Sequence, residues 1–102
     1  MTDMDRIRRE MIRWQIIQIL NNGRPEWVSE ELILRTVQEI TFRDATALEI
    51  RRELDYLDAR KLVSLQKRPS GRWWAELTRY GIDIAEYTID CEPGIARPVK
   101  YW

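Results

Sequence analysis

Apolar positions along this chain fall into stretches of different spacing, and the spacing indicates which element each forms. From Met4 to Leu20 they recur every three or four residues, the period of an α-helix. Two stripes result. Met4, Ile7, Met11 and Trp14 form one, and Ile12, Ile16, Ile19 and Leu20 lie on roughly the opposite side, with Ile17 between them. The predicted helix runs from Thr2 or Asp3 to Asn21, with Asn22-Gly23 as its stop and Asp3 and Asp5 at the positive end of its dipole. A surface helix of a small domain needs a single apolar stripe. The second must therefore meet the C-terminal tail, another copy of the chain, or a partner.

Arg24-Pro25-Glu26 reads as a loop and Trp27-Val28 as a short strand. Ser29 is suited to cap a second helix, with Val28 and Ile33 as a hydrophobic staple and Leu32, Ile33, Val37 and Ile40 as its apolar side. Thr41-Phe42-Arg43 forms a turn. The third helix starts from Asp44 or from a capping box of Thr46 and Glu49. Ala47, Ile50, Leu54 and Leu57 give it a buried stripe, leaving Glu49, Arg52, Glu53, Tyr56 and Arg60 for solvent. The period then changes to two. Leu62 to Gln66 and Arg72 to Leu77 are predicted strands joined by Lys67-Arg68-Pro69-Ser70-Gly71. Alternation puts Trp73, Ala75 and Leu77 on one face and Arg72, Trp74 and Glu76 on the other. Thr78 caps a fourth helix from Arg79 to about Tyr87. Pro93, Gly94 and Pro98 prevent its continuation, although Ile89, Ile95, Val99, Tyr101 and Trp102 make the tail apolar enough to dock. The expected organisation is a domain over residues 1–87 and a docking tail over 88–102.

The segment ATALEIRRELDYLDARKLVSLQKRPSGRWWAELTRYG, Ala45 to Gly81, carries a resemblance. Its order of helix, strand, basic turn, strand and helix start resembles the winged helix-turn-helix family. LTRYGIDIAEY is similar to the Leu-Thr-x-x-Gly helix start that follows the wing in many members. The likeness extends over about Met4 to Tyr87. Many members carry Gly where Lys61 stands. The resemblance implies an α+β domain with a three-helix core, a small antiparallel sheet bearing a wing, a short fourth helix and a C-terminal tail. The tail DCEPGIARPVKYW and the chain length resemble, more loosely, small winged-helix proteins of Mu-like phages and prophages, which implies a regulatory role or one in DNA packaging.

Composition narrows the chemistry. The 102 residues are enough for one domain with a small core. There is no histidine and one cysteine, Cys91, so Cys/His zinc sites, Ser-His and Cys-His catalysis and an internal disulfide are excluded. No signal-peptide pattern is present, which fits a reducing cytosol, and no apolar run is long enough for a membrane. No acid pair, glycine-rich phosphate loop or metal spacing stands out. The expectation is a non-enzyme without cofactor or metal. Cys91 has no activating neighbour in sequence and reads as structural.

Lys plus Arg equals Asp plus Glu, at 17 each, so any nucleic-acid affinity must come from local charge. In this family the third helix is the natural reader of the major groove. Thr46, Glu49, Arg52, Glu53 and Tyr56 are its outward candidates, with Arg52 able to contact guanine or phosphate and Thr46 phosphate. The same helix region is acidic: Asp44, Glu49, Glu53, Asp55 and Asp58 face Arg51, Arg52, Arg60 and Lys61. Unless the acids turn away, they repel DNA. An alternative is an ordinary solvated face, with Glu49 and Glu53 paired to Arg52 and Arg60. Lys67, Arg68 and Arg72 around the hairpin tip are suited to phosphates or a minor groove, or simply keep the tip soluble. Arg6, Arg8, Arg9 and Arg13 read as a solvated surface. Trp74, on the polar side of the hairpin, is expected to be covered by the aromatic tail or a second subunit. Two functions follow: a double-stranded DNA-binding module using the third helix and the basic turn, or a protein-interaction module of the same fold. Either allows a homodimer or protein partner through the first helix and the tail.

Overall fold

The computed structural model describes residues 3–101. Four helices and a small antiparallel sheet enclose one core: α1 (Asp3–Asn22), β1 (Val28–Ser29), α2 (Glu30–Ile40), α3 (Ala47–Ala59), β2 (Val63–Lys67), β3 (Trp73–Leu77) and α4 (Arg79–Ala85). The sheet order is β1-β3-β2, with Val28 opposite Ala75 and Leu65 opposite Ala75 from the other side. Ala75 is thus the centre of the sheet, where a small side chain leaves room for the helices. Among the described residues no helix is long and apolar enough to cross a membrane.

The core takes one stripe of α1, not two. Ile12, Ile16, Ile17 and Leu20 are buried with Ile33, Val37, Ile50, Leu54, Leu57, Leu62, Val63 and Ile84. Of the other stripe only Trp14 is buried, its ring meeting that of Tyr87 edge-on at 6.0 Å between centroids. Met4, Ile7 and Met11 are exposed. On α2, Ile33 and Val37 face inward while Leu32 and Ile40 do not, and on α3 Ala47 is exposed. The short helices cannot turn every apolar residue of the expected stripes toward so small a core.

Caps set the helix boundaries. Ser29 Oγ accepts from Leu32 N–H, Thr46 Oγ1 from Glu49 N–H and Thr78 Oγ1 from Gly81 N–H. Thr46, rather than Asp44, therefore starts α3. At its end Lys61 N–H donates to the Asp58 carbonyl and Leu62 N–H to the Leu57 carbonyl, both at 2.9 Å, with Lys61 at φ 65°. This is the paired hydrogen-bond closure in which glycine is usual, and Lys61 stands at its left-handed position. α4 closes the same way at Tyr87, φ 62°, which ends the helix two residues before the expected boundary.

The Leu-Thr-x-x-Gly sequence joins α4 to the α3–β2 turn. Thr78 N–H and Oγ1 both donate to the Leu62 carbonyl, each at 3.1 Å, and Oγ1 also donates to the Lys61 carbonyl at 2.7 Å. A Cβ on Gly81 would lie 2.1 Å from the Leu62 carbonyl oxygen. The helix start can approach this turn only because residue 81 has no side chain.

The tail runs back over α1, α3 and α4. Ala96 N–H donates to the Glu10 carbonyl, Arg13 Nη1 to the Gly94 carbonyl, Arg97 Nη1 to the carbonyls of Ile84 and Ile89, and Tyr87 Oη to the Pro98 carbonyl. Its apolar residues contribute less than their number suggests. Ile95 is buried, but Ile89 and Val99 are exposed and Tyr101 is 89% exposed. Trp102 lies outside the described residues.

Replacing Gly81 by Ala should destabilise the fold by about 3 kcal/mol through forced backbone displacement. Lys61→Gly should stabilise it by about 1 kcal/mol by relieving a left-handed conformation. Urea denaturation of the two variants measures both effects. Equal midpoints for Gly81→Ala and the parent would contradict the close approach.

Candidate nucleic-acid interface

The third helix turns two of its acids, Glu49 and Glu53, away from solvent and leaves Asp55 and Asp58 exposed. Glu49 accepts from Arg8 Nε at 2.7 Å and Nη2 at 3.0 Å, and Arg8 also meets Asp44 at 2.9 Å. Its hydrogen bonds to Glu49 hold the Arg8 guanidinium above the usual arginine range. Glu53 is only 3% exposed and accepts from Arg13 Nε at 2.7 Å. Tyr56 lies between the guanidinium groups of Arg13, 3.6 Å from its ring centroid, and Arg60, 4.7 Å. Glu49, Glu53 and Tyr56 thus form the α3 side of an interface with α1, not an outward face. Two expectations are corrected together: the partners of Glu49 and Glu53 are Arg8 and Arg13 rather than Arg52 and Arg60, and Arg8 and Arg13 are not a solvated surface. Arg60 turns instead to Glu92 in the tail, at 3.4 Å.

What remains outward on α3 is Ala47, Leu48, Arg52, Asp55, Asp58 and Ala59. Thr46 is exposed at its start, with its hydroxyl committed to the cap. Arg52 makes no hydrogen bond or ion pair among the described residues, and Arg43, in the turn before α3, is likewise exposed and unpaired. Leu48 is 59% exposed. Arg43 and Leu48 were not legible as site candidates. Periodicity marks apolar residues as core, and nothing in the sequence distinguishes a free arginine from a paired one.

The hairpin is fixed against the helices by a polar cluster. Buried Glu30, the first residue of α2, accepts from Arg51 Nε at 2.6 Å and Nη2 at 2.8 Å and from the Trp73 N–H at 2.6 Å. Arg51 Nη2 also donates to the Gly71 carbonyl at 2.6 Å. Arg51 and Lys67 both lie over the Trp73 ring, at 4.7 and 4.2 Å from its centroid. Lys67 reaches Asp55 of α3 at 3.3 Å and Arg72 reaches Glu31 of α2 at 2.8 Å. Arg68 covers Trp74, its guanidinium 4.5 Å from the ring centroid. Trp74 is therefore half-covered by its own hairpin, and the described residues of the tail make their hydrogen bonds elsewhere.

These contacts differ in strength. Arg13–Glu53 is buried, whereas both partners of Lys67–Asp55 and of Arg72–Glu31 are about half exposed. Exposed pairs contribute about 0–1 kcal/mol, so Lys67 and Arg72 can exchange a carboxylate for a phosphate at little cost. Arg8 and Arg13 cannot leave without stranding half-buried or buried acids.

A groove of about 420 Å³ between α1 and α2 is lined by Met11, Trp14, Ile19, Ile40 and Pro98, without a nucleophile beside a base. No group of three or more His, Cys, Asp or Glu among the described residues is placed to hold a metal ion. Burial raises the Cys91 thiol, the opposite of activation. No family model, curated protein or solved structure matches the chain.

Glu30 links the cluster to pH. Its hydrogen bonds with Arg51 hold the carboxyl below the ordinary range. A carboxyl depressed in the folded state contributes stability above its unfolded value, about pH 4.3, and loses it as pH falls through the folded value. Glu30→Gln should cost about 2 kcal/mol at pH 7. It should also flatten the loss of stability below about pH 4.3, measured by urea midpoints across pH. An acid limb as steep as the parent's would exclude Glu30 as its source.

Proposed function

We propose that the chain is a winged helix-turn-helix module that binds double-stranded DNA, with α3 in the major groove and the β2–β3 hairpin as a wing. The observation that carries this reading is the inward turn of Glu49 and Glu53 onto Arg8 and Arg13. It takes Glu49 and Glu53 out of the repulsion that α3 would offer a polyanion, and leaves Asp55 and Asp58 as its outward acids. The element order supports it: a short strand between α1 and α2 pairs with the last strand of a hairpin that follows α3. Arg52 is placed for a base or phosphate, Arg43 and Thr46 for phosphates beside α3, and Lys67, Arg68 and Arg72 for phosphates along the wing. The role is that of a small regulatory protein in the cytoplasm, consistent with the likeness to phage and prophage winged-helix proteins.

A protein-docking role is favoured by one feature, the apolar rim formed by Met11 on α1 and by Ile40 on α2, the latter 74% exposed. Titration of fluorescent random duplex DNA separates the two readings. DNA binding should weaken linearly in log affinity against log salt, with a slope of about −0.9 per neutralised phosphate. Arg43→Ala should reduce the slope by about 1, and joint replacement of Lys67, Arg68 and Arg72 by Ala by up to about 3. Absence of duplex binding at low salt would remove the DNA reading and favour docking of a protein at the α1–α2 rim.

A further inference from the structure

The outward face of α3 is chemically uneven, and that unevenness carries sequence information. Asp55 is exposed in a weak pair with Lys67, and Arg51 is held by Glu30 and the Gly71 carbonyl. Asp58 lies toward the far end of the helix, beside the Lys61 turn. Two long side chains remain uncommitted in the first half of the helix, exposed Leu48 and exposed Arg52. They are four residues apart, so they lie on one face, one above the other. Their separation along the helix axis is about 6 Å, which lets both side chains reach neighbouring base pairs of one groove. Ala47, also exposed and beside Leu48, adds no bulk that would hold the helix off a surface.

We propose that Leu48 and Arg52 are the specificity-determining pair of this module, selecting a thymine and a guanine within two base-pair steps in the major groove. This deepens the DNA-binding reading and rests on it. In the major groove thymine alone presents a C5-methyl group, which an apolar side chain contacts, while guanine presents O6 and N7 to the two parallel donors of an arginine. Arg52 can offer that fork because no carboxylate occupies it. A bidentate arginine contact needs an unpaired guanidinium, and on this face Arg51 does not have one. Leu48 is exposed where a polar residue would serve a merely solvated helix, and its position one turn before Arg52 makes a base edge its nearest available apolar surface in a groove-bound helix.

The test is selection of binding sites by the whole chain from a randomised duplex pool, followed by anisotropy titration of an enriched duplex. Enriched sites should contain a thymine and a guanine within two steps. Replacing that thymine by uracil removes only the methyl group and should weaken binding about fourfold. Replacing the guanine by 7-deazaguanine removes one acceptor and should weaken binding about tenfold. Leu48→Ala should abolish the difference between thymine and uracil, and Arg52→Ala the difference between guanine and 7-deazaguanine. Thermal midpoints equal to the parent's verify that both variants are folded. Enrichment without such a pair, or variants that still discriminate, overturns this assignment and leaves DNA binding standing. Failure to bind any duplex at low salt overturns both.

Discussion

The contact of Glu30 with Arg51 and the Trp73 backbone is the constraint on which the working surface depends. Glu30 begins α2, Arg51 lies in the middle of α3, and Trp73 begins the returning strand of the hairpin. One carboxylate therefore holds three elements that are distant in sequence. Its position in the first turn of α2 also suits the helix dipole. Charged hydrogen bonds in a partly buried site contribute more than surface pairs, which is why this cluster can set the hairpin angle while Lys67–Asp55 and Arg72–Glu31 merely support it. Without Glu30, Arg51 would lose its carboxylate and keep only the Gly71 carbonyl and the Trp73 ring, and the hairpin would lose its backbone anchor at Trp73.

A second set of ion pairs decides the sign of the surface. Equal numbers of acids and bases say little about potential until partners are known. Here α1 supplies arginines to Glu49 and Glu53, so those two acids of α3 are absorbed inside the molecule while Asp55 and Asp58 stay exposed. Arg43 and Arg52 keep their charge available, and the hairpin cations hold theirs in weak exposed pairs. A neutral chain can in this way present a locally positive edge. The tail reinforces the arrangement, since the Gly94 carbonyl accepts from Arg13 and Ala96 bonds to the α1 backbone. A Cβ on Gly94 would come 2.4 Å from the Tyr56 hydroxyl, so the tail needs glycine there to reach Arg13 beneath that ring.

Features governed by neighbouring residues were legible in the sequence. Ser29, Thr46 and Thr78 cap helices because a hydroxyl needs only the backbone three residues ahead. The strand faces around Trp73 and Trp74 follow from alternation, and the Leu-Thr-x-x-Gly pattern marks a junction that the Gly81–Leu62 approach explains physically. Features that depend on partners distant in sequence were not legible. Glu49 can be paired locally with Arg52 or distantly with Arg8, about 40 residues away, and only packing decides between them. Apolar periodicity failed in the same way at Leu32, Ile40 and Ala47, because it reports which residues share a face and not how much core there is to receive them.

The exposed apolar residues divide into two regions with different demands. Met4, Ile7 and Met11 follow one another along α1, and Ile40 shares the α1–α2 groove with Met11. Leu48 stands on α3, beside free Arg52, on the face from which the acids Glu49 and Glu53 have turned. An apolar residue among unpaired cations is poorly placed for a dry protein interface, where an unpaired charge would be costly to bury. It is well placed against a nucleic-acid groove, where charge is neutralised by phosphate and a methyl group is available to an apolar side chain. The groove between α1 and α2 lacks that cationic setting, so its affinity would come from apolar burial. The two surfaces therefore suit partners of different chemistry, and occupancy of one does not require the other to be empty.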